Sequence, residues 1–336
     1  MRNEDRLFQH LLDLPCAAQG SHLYRYDQGR WQASDIRDGY RVVNDWMMVN
    51  APRLYGTSHG FSMIRQAIDR LSDVQPLPSH APAGPVLIPF KSATLELQKD
   101  GRILVRDPKP GDGLTYVLTV DLDRSRVNEQ NHFVPRPVVP GSTWNTFLTT
   151  FAPTQALQDR FAEGYGSTLT HRGWGKVLYA HGRTGTAKTT ITKIVAGLHE
   201  GGCPTVMLHH GERLLKPELV GWYYNHSMLR FYERTLIKAR RGLEAWVQRE
   251  TLEGRHKCAR RSDFAFRPAA TIVMDEDESS TAPVDPLLFT LPLTHSFLKD
   301  DKLDFHNVIL RDPGSCWEVL DWLIAGASRV VQRGYL

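Results

Sequence analysis

A short glycine-containing turn separates an apolar segment from a Lys-Thr-Thr sequence, and this stretch is the part of the chain best suited to chemistry. The apolar segment 177–181 predicts a buried strand, and a helix is predicted to begin near Lys188. Backbone N–H groups in such a turn and at a helix start bind phosphate oxygens. The candidate phosphate-binding residues are Gly182, Arg183, Thr184, Gly185, Thr186, Ala187, Lys188, Thr189 and Thr190.

Lys188 and Thr189 have separate expected roles in this turn. The lysine supplies a compact positive charge for the β- and γ-phosphates of ATP, and the threonine hydroxyl completes a Mg²⁺ shell. The spacing follows G-x-x-x-x-G-K-[ST], except that Ala187 replaces the usual glycine. The turn tolerates alanine if its φ angle is negative, as in the first residues of a helix. The alternative is an ordinary glycine turn beside a surface lysine.

The helix after the turn has one apolar face. Its members follow the i, i+3, i+4, i+7 spacing of an amphipathic helix. They are Ile191, Ile194, Val195 and Leu198. Strand, turn, Lys-Thr and helix therefore occur in the order that a phosphate site requires.

Composition limits the protein class without deciding it. A chain of 336 residues that is 41% hydrophobic exceeds the usual single domain, so two domains are expected. The net charge of +4 is mild, so contact with DNA would need a local basic patch. The four cysteines form no C-x-x-C pair and fit reduced thiols, which predicts a cytoplasmic protein. No apolar run is long enough to span a membrane, and no secretion signal is evident.

Two parts are predicted along the chain. Residues 1–140 are expected to form a smaller mixed α+β domain, with hairpins over 23–32 and 94–105 and a helix whose apolar positions are Phe61, Ile64, Ile68 and Leu71. A proline-rich linker follows that helix, between residues 76 and 85. Residues 141–336 alternate strands and helices, which predicts an α/β domain with a parallel sheet and helices on both faces.

Two segments compete for the acidic strand that should accompany a phosphate-binding turn. Residues 271–278 combine an apolar run with four consecutive acids, as expected where a buried parallel strand delivers carboxylates to its C-terminal edge. Residues 227–233 form the other candidate and end in Glu233, but Arg230 is unusual for a central strand. The residues alone leave both possibilities open.

The order of motifs resembles the superfamily 3 helicases of phages, plasmids and large DNA viruses, the primase-associated type of AAA+ ATPase. The resemblance runs from about Tyr24 to the C-terminus and depends on motif order. Its motifs are Leu87-Ile88-Pro89-Phe90, Leu95-Glu96-Leu97, Asp107-Pro108, Trp144 with Phe147-Leu148, Glu163-Gly164-Tyr165-Gly166 and the phosphate-binding turn. It implies a P-loop NTPase fold for 141–336 and a helicase-associated domain for 1–140.

The resemblance also implies roles for particular acids. Phe266-Arg267-Pro268 matches a family phrase that precedes the third strand, so 271–274 becomes that strand and 228–232 the acidic one. Glu233 would then polarise the attacking water or help Thr189 to hold Mg²⁺. The catalytic set becomes Lys188, Glu233 and Asp277, where Asp277 replaces the family's asparagine sensor and Asp275 and Glu276 are its neighbours. An ionised aspartate cannot donate to the γ-phosphate as an asparagine does, which predicts weaker turnover.

Two further correspondences concern cations. The family's trans-acting arginine has no counterpart between Arg267 and Arg311, which leaves Lys299, Lys302 or Arg311 as substitutes. The resemblance also implies a β-hairpin that follows single-stranded DNA, with Val247–Leu252 as its outgoing strand and Arg255, His256 and Lys257 as the contacts. Mobile cations give sequence-independent, salt-sensitive binding to phosphates. The alternative for these three residues is a solvated basic loop.

The function expected from these features is that of an ATP-dependent DNA helicase. It would act as a homo-oligomeric ring, a hexamer, on single-stranded DNA in replication of a phage, plasmid or other mobile element. A primase or origin-binding protein would be a separate partner. The alternatives are a nucleotide-binding DNA loader or scaffold with little ATP hydrolysis and, third, a small-molecule kinase.

Overall fold

The computed structural model describes residues 2–19, 22–33, 41–78, 84–199, 285–295, 297 and 304–336. Between 200 and 284 it describes residues 244, 245, 247 and 248, the backbone of five strands, and the side chains of Ile272 and Met274. Predictions that fall on the remaining residues lie outside the described part of the chain.

The N-terminal part packs three helices on a three-stranded antiparallel sheet, in the sheet order β1-β2-β3. The elements are α1 (Asn3–Leu12), β1 (Cys16–Gln19), β2 (His22–Asp27), β3 (Arg30–Ala33), α2 (Arg41–Asn50) and α3 (Ser58–Val74). The pairing of Tyr24 with Ala33 and of Asp27 with Arg30 confirms the predicted first hairpin. Strand β1 was not predicted, because its four residues show no clear alternation.

Helix α3 confirms most of the predicted apolar face. Thr57 caps it, since its side chain accepts a hydrogen bond from the N–H of Gly60 at 3.0 Å. Ile64, Ile68 and Leu71 are buried, but the prediction for Phe61 was wrong because its side chain is 63% exposed. The inner position of this turn belongs to Gly60, where an added Cβ would lie 2.1 Å from the carbonyl oxygen of Leu54.

A second antiparallel sheet contains β4 (Val86–Pro89), β5 (Thr94–Leu97) and β6 (Ile103–Arg106). The pairing of Leu97 with Ile103 confirms the predicted hairpin around Lys99-Asp100-Gly101. The apolar side chains of these strands share one core with residues up to the C-terminus. The sequence predicts a division after residue 140, whereas packing among the described residues changes between Leu77 and Val86.

The largest sheet has five strands, and every neighbouring pair is parallel. Its spatial order is β13-β7-β12-β9-β8. The strands are β7 (Val177–His181), β8 (Thr205–Val206), β9 (Met228–Tyr232), β12 (Ala270–Asp275) and β13 (Leu288–Pro292). A separate antiparallel pair is formed by β10 (Thr251–Gly254) and β11 (Ser262–Ala265). The carboxyl ends of the five parallel strands therefore share one edge.

Among the described residues, five helices accompany this sheet: α4 (Thr143–Phe151), α5 (Gln155–Ser167), α6 (Lys188–Gly197), α7 (Phe305–Arg311) and α8 (Pro313–Arg333). Helices α5 and α8 approach so closely that a Cβ on Gly166 would lie 2.2 Å from the oxygen of Leu323, and one on Gly326 would lie 2.1 Å from that of Ala162. In the part of the chain that the structure describes, no helix has both the length and the apolar composition that crossing a bilayer requires.

Charged side chains join α8 to two other segments. Glu163 of α5 accepts hydrogen bonds from Arg333 at 2.8 Å and from Arg329 at 3.3 Å. Arg126 donates to Asp321 of α8 at 2.9 Å, and both side chains are nearly inaccessible to water. Burial raises the pKa of Asp321, and hydrogen bonding to Arg126 opposes that shift. These pairs fix α8 against both α5 and the segment before α4.

His199 follows helix α6 and is only 4% exposed. Burial penalises its imidazolium form and lowers its pKa from 6.5 to about 4. The folded state therefore keeps this residue neutral, while the unfolded state binds a proton as the pH falls below 6.5. Its contribution to stability is complete above pH 6.5 and declines as the pH falls toward 4.

We therefore expect acidification to destabilise the wild type more than the His199→Gln variant. Between pH 7.5 and pH 5.0 the free energy of unfolding of the wild type should fall by about 2 kcal/mol more than that of the variant. Urea unfolding at the two pH values measures it. His295→Gln, which changes an exposed histidine, serves as the control and should keep the wild-type pH dependence. Equal pH dependence in wild type and His199→Gln would show that His199 is charged or solvated in the native state.

Candidate nucleotide-binding site

The glycine turn lies at the carboxyl end of β7 and leads directly into α6. All five residues of β7 are buried, and β7 lies between β13 and β12. Gly182 and Gly185 have φ angles of 147° and 88°, which favour glycine over residues with a Cβ. Arg183, Thr184 and Gly185 are exposed. The turn therefore presents its backbone to solvent at the edge where the strands end.

Ala187 adopts the left-handed conformation, with φ 65° and ψ 11°. The tolerance of alanine predicted from the sequence depended on a negative φ at this position, and the structure does not meet that condition. Ala187 is the N-cap of α6, and its carbonyl oxygen accepts the N–H of Ile191 at 3.0 Å. The turn thus keeps the backbone that glycine usually provides, at a cost of roughly 1–2 kcal/mol for the alanine Cβ.

Lys188 points its ammonium group into the turn and is only 6% exposed. The Nζ atom donates to the carbonyl oxygens of Gly182 and, at 2.8 Å, of Arg183. The Thr186 hydroxyl lies 3.5 Å from the same nitrogen. Lys188 is therefore not a surface lysine. A buried cation held by neutral carbonyls is well placed to interact with anionic oxygens at the same turn.

The segment after β13 supports the turn from outside. The Leu293 N–H donates to the His181 oxygen at 2.9 Å, and the Phe297 N–H donates to the Gly185 oxygen at 3.1 Å. A Cβ on Gly182 would lie 2.1 Å from the Leu293 oxygen. The close approach of backbone 293 is what requires glycine at 182.

Helix α6 is fixed on its inner side as the sequence predicted. Ile191, Ile194, Val195 and Leu198 are all fully buried. The Tyr165 hydroxyl lies 3.0 Å from that of Thr192, and burial raises the pKa of this tyrosine. Thr189 and Thr190 are half-buried in the first turn of α6. The oxygen of Thr189 is a suitable hard ligand for Mg²⁺.

Backbone register brings both acidic candidates to the edge that carries the turn. Asp275, the last residue of β12, pairs with His181, and Met274 pairs with Tyr232, the last residue of β9. Glu233 directly follows β9, but it lies outside the described residues, as do Glu276 and Asp277. Strand β12 therefore lies between β9 and β7, and the carboxyl ends of β9 and β12 lie at the same sheet edge as the turn.

The remaining predicted contacts are placed only in part. Strands β10 and β11 pair in antiparallel fashion: Thr251 lies opposite Ala265 at one end, and Gly254 lies opposite Ser262 at the other. A hairpin therefore precedes β12, although its first strand starts later than the predicted 247–252. Arg255, His256 and Lys257 belong to its connection and lie outside the described residues, as do Lys299 and Lys302. Arg311 is the exposed last residue of α7. Among the described residues, no group of three or more His, Cys, Asp or Glu side chains could hold a metal ion.

The fold of this chain is similar to folds among the solved structures. The apo C-terminal region of NrS-1 matches 100% of this chain and 73% of its own, with a TM-score of 0.54 and 12% identity. An A-form structure of the same region covers 72% of this chain and 69% of its own, at 13% identity and a TM-score of 0.43. No protein-family model and no curated protein matches the sequence. The first similarity shows a shared fold.

The left-handed alanine generates a stability prediction. Ala187→Gly should stabilise the protein by about 1 kcal/mol, because glycine occupies positive φ without a steric cost. Ala196→Gly, in the helical part of α6, should destabilise it by up to about 1 kcal/mol. Chemical denaturation of both variants provides the measurement. A destabilising effect of Ala187→Gly would mean that residue 187 has an ordinary helical φ.

Proposed function

We propose that this protein is a P-loop NTPase that binds ATP at the turn 182–190. The buried ammonium group of Lys188, held inside a glycine turn at the carboxyl edge of a parallel sheet, is the observation that carries the proposal. The exposed residues 183–185, the start of α6 and this cation together favour a polyphosphate. The five parallel strands support an AAA+-like P-loop fold for this part of the chain.

The residues around the turn fit Mg²⁺ and hydrolysis chemistry. Thr189 offers a hydroxyl oxygen beside the lysine, and the ends of β9 and β12 bring backbone positions 232 and 275 to the same edge. Mg²⁺ prefers such oxygen ligands and would neutralise charge on the phosphates. In this proposal Glu233 orients the attacking water, and Asp277 lies near the γ-phosphate.

The finer part of the proposal is a DNA helicase with a role in replication of a phage, plasmid or other mobile element. The antiparallel hairpin β10–β11, which precedes β12 in the chain, supports it, because Arg255, His256 and Lys257 belong to the sequence between its two strands. Three cations at a hairpin end suit sequence-independent contact with single-stranded DNA phosphates. A homohexameric ring would bring such hairpins together around one strand and would supply a trans-acting cation to each ATP site.

Replacing the lysine tests nucleotide chemistry directly. Lys188→Ala should lower ATP hydrolysis at least about 100-fold, because it removes the charge that stabilises the transferred phosphoryl group. Lys193→Ala changes an exposed lysine of the same helix and should leave turnover near normal. Phosphate release with and without single-stranded DNA measures both variants, and thermal unfolding checks their fold.

Each alternative function predicts a different result in this assay. Near-normal turnover by Lys188→Ala would contradict the assigned site. Wild-type ATP binding without DNA-stimulated turnover would favour a loader or scaffold, and phosphoryl transfer to a small molecule would favour a kinase.

A second pair of variants decides between the acidic strands. Glu233→Gln should retain ATP binding and lose most hydrolysis, because the amide cannot accept a proton or ligate Mg²⁺ as a carboxylate does. Glu276→Gln carries the same chemical change at the end of the other strand and should have a smaller effect. Nucleotide binding and turnover are measured separately for both. The reverse ranking would assign the catalytic carboxylate to the segment after β12.

A further inference from the structure

A cavity lies near the beginning of β7, away from the phosphate-binding turn. Its volume is about 610 Å³, and its lining comes from β4, the β5–β6 turn, the segment before β7 and the end of α8. Trp174 lines it and precedes the first residue of β7 by three positions, whereas the turn follows the last residue. The five residues of β7 span roughly 17 Å, so the two sites lie at opposite ends of this strand.

Positive charge distinguishes the lining of this cavity. Lys99, at the β5–β6 turn, and Arg172 contribute cationic groups, and none of the described lining residues is acidic. Lys99 is exposed and Arg172 is half-buried. Two cationic side chains that line the same cavity favour an anionic ligand.

An aromatic side chain gives the cavity a planar surface. Trp174 is half-buried, and its Nε1 donates to the Thr170 hydroxyl at 3.2 Å, which fixes the indole. The Arg172 guanidinium lies over one face of the tryptophan ring, with its central carbon 5.5 Å from the ring centre, so a stacked base would use the opposite face. A fixed aromatic ring beside a cation suits a ligand that has both a flat ring and a negative charge.

The remaining walls favour a nucleobase over a simple anion. Val86, Leu97 and Val331 are the apolar residues of the lining, and all three are buried, so they close the cavity rather than contribute a large contact surface. Val331 and Gly334 lie at the C-terminal end of α8, where backbone carbonyls lack intrahelical partners and carry the negative end of the helix dipole. Inorganic phosphate gains nothing from that end, whereas the ring N–H or amino groups of a base, such as N3–H of thymine, can donate to such carbonyls.

We propose that this cavity binds a nucleotide of single-stranded DNA, with its base stacked on Trp174 and its phosphates contacted by Lys99 and Arg172. The volume is within the range of pockets that hold ligands of nucleotide size. This site is separate from the ATP site and from the hairpin 251–265. It does not depend on ATP hydrolysis.

The test uses the full chain without nucleotide. An oligo(dT) strand that carries 5-iodouracil is photo-crosslinked, and the linked peptide is identified by mass spectrometry. Fluorescence anisotropy of a labelled oligo(dT) gives affinities at several salt concentrations. We expect a crosslink at Trp174, about tenfold weaker binding by Trp174→Ala and a smaller loss with Trp174→Phe. Thermal unfolding verifies each variant.

A charge-matched pair tests the cations. The double variant Lys99→Gln with Arg172→Gln loses two phosphate contacts. The slope of the logarithm of the association constant against the logarithm of the salt concentration should therefore become less steep by about 1.4. Arg53→Gln with Lys109→Gln removes the same charge from exposed positions elsewhere and should leave the slope unchanged.

Three results would overturn the proposal. The first is a set of crosslinks confined to other peptides, and the second is an unchanged affinity and salt slope in all cavity variants. The third is displacement of the strand from Trp174 by polyglutamate as readily as by unlabelled DNA, which would assign the cavity to an acidic peptide. A protein without ATPase activity gives the same crosslink if the proposal is right, so this test is independent of the proposed function.

Discussion

The close approach of Gly182 to the backbone of Leu293 is the contact on which the candidate site depends. Two other contacts, farther from the turn, also depend on glycine residues that allow close packing. Gly164 of α5 allows Phe289 of β13 to come so near that a Cβ would lie 2.9 Å from its ring, and Gly166 with Gly326 allows α5 to meet α8 backbone to backbone. Close packing at glycine therefore runs from the C-terminal helix through α5 and β13 to the turn. Protein interiors transmit such constraints because they are densely packed.

This arrangement gives a physical role to the phrase Glu163-Gly164-Tyr165-Gly166. The two glycines face β13 and α8, the tyrosine hydroxyl meets Thr192 of α6, and the glutamate pairs with Arg329 and Arg333. Four consecutive residues thus contact three elements that surround or support the turn. Substituting either glycine would move an element that touches no phosphate, yet would displace the backbone that holds Lys188.

Local patterns predicted the local elements well. The two hairpins and the buried face of α6 follow from turn residues and periodicity, which depend on neighbours within a few positions. The burial of Phe61 was predicted wrongly because the approach of Leu54 assigns the inner position to Gly60. Strand β1 and the support of the turn by 293–297 also escaped prediction. Both depend on pairings between distant residues, for which a single sequence carries no signal.

Ala187 shows why backbone geometry is more informative than motif letters. Alanine in the left-handed region is strained, and such strain persists only where the surroundings determine the conformation. Here the determinants lie on both sides of the residue: Lys188 hydrogen bonds back to Gly182 and Arg183, and Phe297 holds Gly185. These contacts fix the backbone at both ends of the turn, so the alanine between them has little freedom to relax. The departure from glycine therefore affects the stability of the turn more than its backbone shape, because Ala187 adopts the left-handed conformation that glycine would adopt.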